Sequence, residues 1–206
     1  MAHPPPIVIS VLLSVGSDAK PCARKDVVRV ANDPNWRLPV VPEFTLTSPE
    51  VREGEFLPLW ARTAWAGGED RSPTLSWSGA PASTKSYVVT VYDPDAPTGS
   101  GYWHWAVYNI PASVTALPAD AGNPDAGLLP EGAITVANES RAERFEGAGP
   151  PPGDGDHRYV FTVSALDVES LDLPAGCTPA VLGFMMRNSV VGRAQLTALS
   201  STPAES

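Results

Sequence analysis

"SYVVTVYDPDAPTGSGYWHWAVYNIP", residues 86–111, holds two apolar runs of strand length separated by a stretch rich in proline, aspartate and glycine. Side chains of a β-strand alternate between its two faces. In the first run Tyr87, Val89, Val91 and Asp93 fall on one side, and Val88, Thr90 and Tyr92 on the other. Apolar residues on both sides predict a central strand covered on each face. Asp93 stands at the strand exit, where a carboxylate can meet a cleft. Pro94 and Pro97 fix φ and remove amide donors, so the turn carrying Asp93 and Asp95 is stiff by composition. In the second run the pleat groups His104 with Ala106, Tyr108 and Ile110, and sets Trp103, Trp105 and Val107 opposite. Small Ala106 leaves room beside the imidazole.

Outward from this pair the same pattern repeats. "EFTLT" (43–47), "TLSWS" (74–78), "AITVAN" (133–138), "RYVFTVSAL" (158–166) and "AQLTALS" (194–200) are short runs of β-branched and aromatic residues bounded by turn formers. With 23 prolines and 17 glycines, the composition suits strands joined by turns and predicts an all-β fold. One helix is expected after Thr178 as N-cap and Pro179 in the first turn, running through "AVLGFMMRNSVV" (180–191) to Gly192. Its face with Val181, Leu182, Met185 and Met186 is expected in the core. Trp36, Trp60, Trp65 and Trp77 read as core or loop-packing residues.

A chain of 206 residues, 43% hydrophobic, encloses one sizeable core, giving a domain over 36–206 behind an N-terminal tail, 1–35. The formal charge of −9 opposes nucleic acid and anionic membranes, so any anionic ligand needs a local site. Cys22 and Cys177, far apart, do not form a disulfide framework. The run "IVISVLLSVG" (7–16) has no Lys or Arg before it and is too short to span a membrane as a helix. A cytoplasmic protein is expected, with secretion or periplasmic export as the alternative if residues 1–19 form a signal peptide.

Two of the three histidines stand at strand ends beside stiff loops. His104 follows the acidic pair, and His157 follows "GAGPPPGDGD" (147–156) and shares a face with Tyr159, Phe161 and Val163. A lone strand histidine is ordinarily structural, but two in this setting point to chemistry.

"DPDAP" (93–97), then "WHWAVYNIP" (103–111), then "GAGPPPGDGDHRYVFTVSAL" (147–166) together resemble the phosphatidylethanolamine-binding protein family, in its bacterial Raf kinase inhibitor-like branch. The similarity runs from about Pro39 to about Ala198. The resemblance implies a sandwich-like domain, with a large antiparallel sheet packed on a smaller one and a C-terminal helix. It also implies a small pocket for phosphate-bearing head groups, formed by Asp93, Asp95, Tyr102, His104, Gly149, Pro151, His157 and Tyr159. Tyr102 stands where the family usually has tryptophan. No cofactor is implied. A kinase or protease partner held at the pocket rim, and a homodimer, are further implications.

In such a pocket His104 and His157 are expected to be neutral until a phosphate dianion raises their pKa, after which both donate charge-assisted hydrogen bonds. Asp93 would fix a histidine tautomer and Asp95 would brace the loop through backbone amides. Binding is then expected to weaken above about pH 7. The rival reading is a hydrolase or metal-dependent enzyme built on Asp93, His104 and His157. No G-x-S-x-G elbow or cysteine nucleophile supports the first, and the spacing follows no zinc pattern for the second.

Overall fold

The computed structural model describes residue 35 and residues 37–204. The apolar run 7–16, Cys22 and Trp36 lie outside the described residues, and with them the signal-peptide alternative and any pairing of Cys22 with Cys177.

The quoted stretch forms the centre of the molecule. Strands β3 (Ser86–Asp93) and β4 (Tyr102–Pro111) pair antiparallel, and β7 (His157–Leu166) pairs antiparallel with the other edge of β3. β8 (Val190–Ser200) and the two-residue β6 (Ile134–Thr135) complete a five-stranded sheet in the order β6-β4-β3-β7-β8. A smaller sheet, β1-β2-β5, is made from Thr45–Thr47, Leu75–Ser78 and Ala116–Leu117. All the ladders are antiparallel. The fold is the expected β-rich sandwich, with one α-helix among the described residues.

Both faces of β3 are covered. Tyr87, Val89 and Val91 pack with Trp105, Val107, Phe161 and Val163 against Leu46, Leu75, Trp77 and Leu117 of the small sheet. On the far face Val88, Ala106, Tyr108 and Leu166 pack on Leu182 and Met186 of α1 (Pro179–Met186). Fully burying a side chain of this size contributes roughly 1.5–3 kcal/mol, so these two layers dominate the stability.

Strict alternation fails twice along β4, each time through a bulge. Val91 faces Trp105 while Tyr92 faces Trp103, which leaves His104 as the extra residue. Such an insertion re-aims a side chain. Trp103 therefore stacks on Tyr92, with ring centroids 4.4 Å apart, while Trp105 turns into the core. His104 does not share a face with Ala106 and Tyr108 as the pleat predicts; it meets Tyr102 and Tyr159 on the opposite side. A second bulge holds Asn109 at φ 58°, a conformation asparagine tolerates better than most residues. It sends Ile110 into the inter-sheet core, away from Tyr108. The Asn109 amide also clamps the loop at Leu171, accepting from its amide at 2.8 Å and donating to its carbonyl at 3.3 Å.

The helix begins as expected, with the Thr178 hydroxyl accepting from the Val181 amide at 3.3 Å and Pro179 in the first turn. It ends at Met186 rather than near Gly192, which lies within β8. Of its expected core face, Leu182 and Met186 are buried, whereas Val181 and Met185 are exposed. The β-branched pair Val190 and Val191 joins β8, where branched side chains pack well. No helix among the described residues is long and apolar enough to cross a membrane.

Candidate functional site

Antiparallel pairing brings the exit of β3 beside the starts of β4 and β7, so Asp93, Tyr102, His104, His157 and Tyr159 meet at one end of the large sheet. A cavity of about 210 Å³ opens there. Its walls are completed by Thr63 and Trp65, by the turn Ala96 to Thr98, and by Glu146, Gly147, Gly149 and Pro151.

Asp93 is the hub. It is 2% exposed, and its Oδ1 accepts from the amides of Asp95 and Ala96 at 2.8 and 2.9 Å. Its Oδ2 accepts from Nδ1 of buried His157 at 2.9 Å. The other ring nitrogen of His157, Nε2, lies 3.1 Å from Oδ2 of Asp154. A carboxylate only accepts, so both ring nitrogens donate when the imidazole carries two protons. Burial opposes that charge, but the hydrogen bond and attraction of Asp93, then those of Asp154, outweigh it and raise the His157 pKa above the usual histidine value.

His104 is governed by the opposite balance. Its burial lowers the pKa more than Asp93 and nearby carbonyls raise it, so the neutral ring is favoured. Nδ1 lies 3.0 Å from the Glu146 carbonyl, and since a carbonyl cannot donate, that nitrogen carries the proton. Nε2 is thereby left as an acceptor. The two histidines, expected to behave alike, are pushed in opposite directions, His157 toward the charged form and His104 toward the neutral one.

The phenols are kept protonated. Burial, then the charge of Glu146, pushes Tyr102 up to about 12, and its hydroxyl donates to Glu146 Oε2 at 3.0 Å. Burial and Asp93 raise Tyr159 further. Among the described residues the buried Tyr159 hydroxyl, beside Asp93 and the Gly149 backbone, makes no hydrogen bond of good geometry. A ligand oxygen would relieve that deficit.

Seven of the eight residues singled out in the sequence stand around the cavity, and Asp95 does not. Its carboxylate takes the Arg158 guanidinium at 2.7 Å through Nε and Nη2, and also accepts the Arg158 amide at 2.9 Å. That hydrogen bonding to Arg158 lowers its pKa. Asp95 thus ties the β3–β4 turn to the start of β7, next to His157. The loop-amide role expected of Asp95 is filled chiefly by Asp93.

Sequence reasoning missed Thr63, Trp65, Glu146 and Asp154. Trp65 was expected to pack, yet it is 64% exposed at the cavity mouth. A Cβ on Gly149 would come within 2.7 Å of its ring, so glycine there lets the indole lie close. Glu146 carries no motif signal. Asp154 could have been found, since it lies three residues before His157 in a loop forced by Gly153 and Gly155 to turn back.

The architecture defines a two-sheet β-sandwich with an open cavity, lined by polar and aromatic side chains, where three central strands meet. The family model described as phosphatidylethanolamine-binding protein matches residues 47–201, and the chain belongs to that family. It is 46% identical to YbcL of Escherichia coli K12 over 156 residues, covering 75% of this chain and 85% of that one. It is 43% identical to YbhB of the same organism over 162 residues, covering 76% and 99%. The crystal structure of YbcL superposes with a TM-score of 0.74 at 45% identity over 77% of this chain and 98% of the other. The homologue CT736 of Chlamydia trachomatis gives 0.66 at 29% identity, covering 78% and 98%.

Proposed function

We propose that the protein is a binding module for the phosphate group of small phosphate esters, held between His157 and His104. The convergence of both rings, from two different strands, on one cavity backed by Asp93 carries this reading. His157 supplies the positive charge, and His104, neutral before binding, donates from Nε2 once an entering dianion draws a proton onto it. Tyr159 supplies a buried hydroxyl beside Asp93 and the Gly149 backbone. The stiff Pro-Gly rim limits the ordering cost of binding.

Binding fits this cavity better than catalysis because the hydroxyls of its two threonines are already engaged elsewhere. Thr63 Oγ1 accepts from the Ala66 amide at 3.4 Å, and Thr98 Oγ1 donates to the Gly101 carbonyl at 2.6 Å. Neither is placed against an imidazole as a nucleophile would be.

The expected pH dependence follows from His157. Its charged form persists above the ordinary histidine range because the pKa is raised. Affinity for methyl phosphate, measured calorimetrically from pH 6 to 9.5, is expected to fall about tenfold per unit once pH exceeds that raised pKa. A saturable affinity that stays flat across the range, or no binding at any pH, contradicts the assignment.

A further inference from the structure

We propose that Asp154 is an intramolecular competitor that occupies the anion position on His157 until a ligand displaces it. The inference rests on the phosphate-binding reading above and names the regulation of that site.

The geometry is that of a tethered ligand. His157 has two ring nitrogens, and Asp93 takes the inner one from a fully buried position. Only Nε2 remains for an incoming oxygen, and Asp154 Oδ2 already sits 3.1 Å from it. The two carboxylates differ in how firmly they are held. The Asp93 side chain is 3% exposed and bonded through both oxygens, whereas the Asp154 side chain is 41% exposed with this single bond to its carboxylate. A half-exposed carboxylate exchanges its partner for water at small cost.

The loop supports a carboxylate that swings while its backbone stays. Gly153 and Gly155 flank Asp154 with φ of 79° and 91°, and the turn they allow brings the Asp154 carboxylate to His157. The Gly153 amide donates to the Thr202 carbonyl at 2.9 Å, and the Asp154 amide to that of Pro151 at 3.2 Å. These anchors at the Gly153 and Asp154 amides hold the backbone and leave the side chain as the moving part.

A tethered carboxylate sets a threshold. It carries one negative charge and is always present, so a singly charged diester gains nothing in charge by replacing it. A phosphate monoester brings nearly two charges and three strong acceptor oxygens at neutral pH. Asp154 therefore selects monoesters over diesters, and removing its charge weakens that choice.

Methyl phosphate and dimethyl phosphate are titrated calorimetrically into the native protein, Asp154→Asn and Asp156→Asn. Asp156 lies on the same loop and makes no hydrogen bond or ion pair with the His157 ring, so its variant matches the charge change alone. The His157 ring is titrated by NMR in all three without ligand. The proposal expects Asp154→Asn to bind methyl phosphate about tenfold tighter, to narrow the monoester preference and to lower the His157 pKa, with Asp156→Asn close to native. Equal gains in both variants, or native-like affinity in Asp154→Asn, overturn the competitor while leaving the phosphate site standing. Absence of methyl phosphate binding in all three proteins overturns the phosphate site and the competitor with it.

Discussion

Replacing Asp93 with alanine is expected to destabilise the fold by about 3–5 kcal/mol, the usual cost of stripping one partner from a buried ion pair. The side chains of Asp93 and His157 are each 3% exposed, so water does not replace the missing carboxylate. The same change strands the amides of Asp95 and Ala96, which no longer find Oδ1. Asp93→Asn keeps an acceptor for those amides and is expected to lose less, while His157 loses its main source of raised pKa.

The pH dependence separates this account from simple loss of packing. A raised folded pKa means that His157 contributes stability in full below about pH 6.5 and loses it as pH climbs through the folded value. The deficit of Asp93→Ala should therefore shrink at high pH. His104, with its pKa lowered by burial, works the other way, contributing above about pH 6.5 and losing it as pH falls through its folded value. Denaturant unfolding at pH 6 and pH 9 checks this. An Asp93→Ala deficit below about 1 kcal/mol at pH 6, within the range of a surface ion pair, would show that the buried pair does not hold the site together.

Gly147→Ala is the second large effect. A Cβ at this position would overlap the carbonyl of Arg62 and the amide of Thr63, and both are backbone. The approach is enforced by a local ladder: the Ala148 amide donates to Ala61 at 3.1 Å, the Thr63 amide to Ala148 at 2.9 Å, and the Gly147 amide to Asp70 Oδ1 at 2.8 Å. Relief requires the two segments to part, at an expected cost of about 3 kcal/mol. The same movement carries away the Glu146 carbonyl that orients His104 and the Gly149 backbone under Trp65. Methyl phosphate affinity should fall at least about tenfold, since each lost contact to a charged ligand is worth roughly 1.5–3 kcal/mol. A denaturation midpoint and an affinity both equal to native would mean that the 145–149 segment does not shape the cavity.

Much of the architecture was legible because β3 announces itself. Val88, Val89 and Val91 are apolar on both faces, and only a central covered strand accommodates that. The family resemblance of the motif blocks then placed Asp93, His104 and His157 in one pocket, which the strand pattern alone does not do, because residues 112–156 separate β4 from β7. The orientation of His104 was not legible. Alternation assigns it to the α1 side, and the bulge that reverses it has no glycine or proline to mark it. Charge states were equally hidden, because they depend on which carboxylate the fold delivers. Asp95 was placed in the pocket with Asp93 as a brace for loop amides, yet two residues along the turn its carboxylate points at Arg158 instead. The end of α1 was misjudged because apolar Val190 and Val191 continue a helical run on paper while β7 offers them a ladder.

The claim beneath all of this is that two imidazoles pushed toward opposite charge states share one anion. Ring-resolved NMR of His104 and His157, titrated with methyl phosphate near pH 7, tests it most directly. Both rings are expected to shift with a single saturation constant, His157 starting protonated and His104 starting as the neutral tautomer with its proton on Nδ1. Rings that stay fixed, that saturate separately, or that begin in the same protonation state would contradict the account.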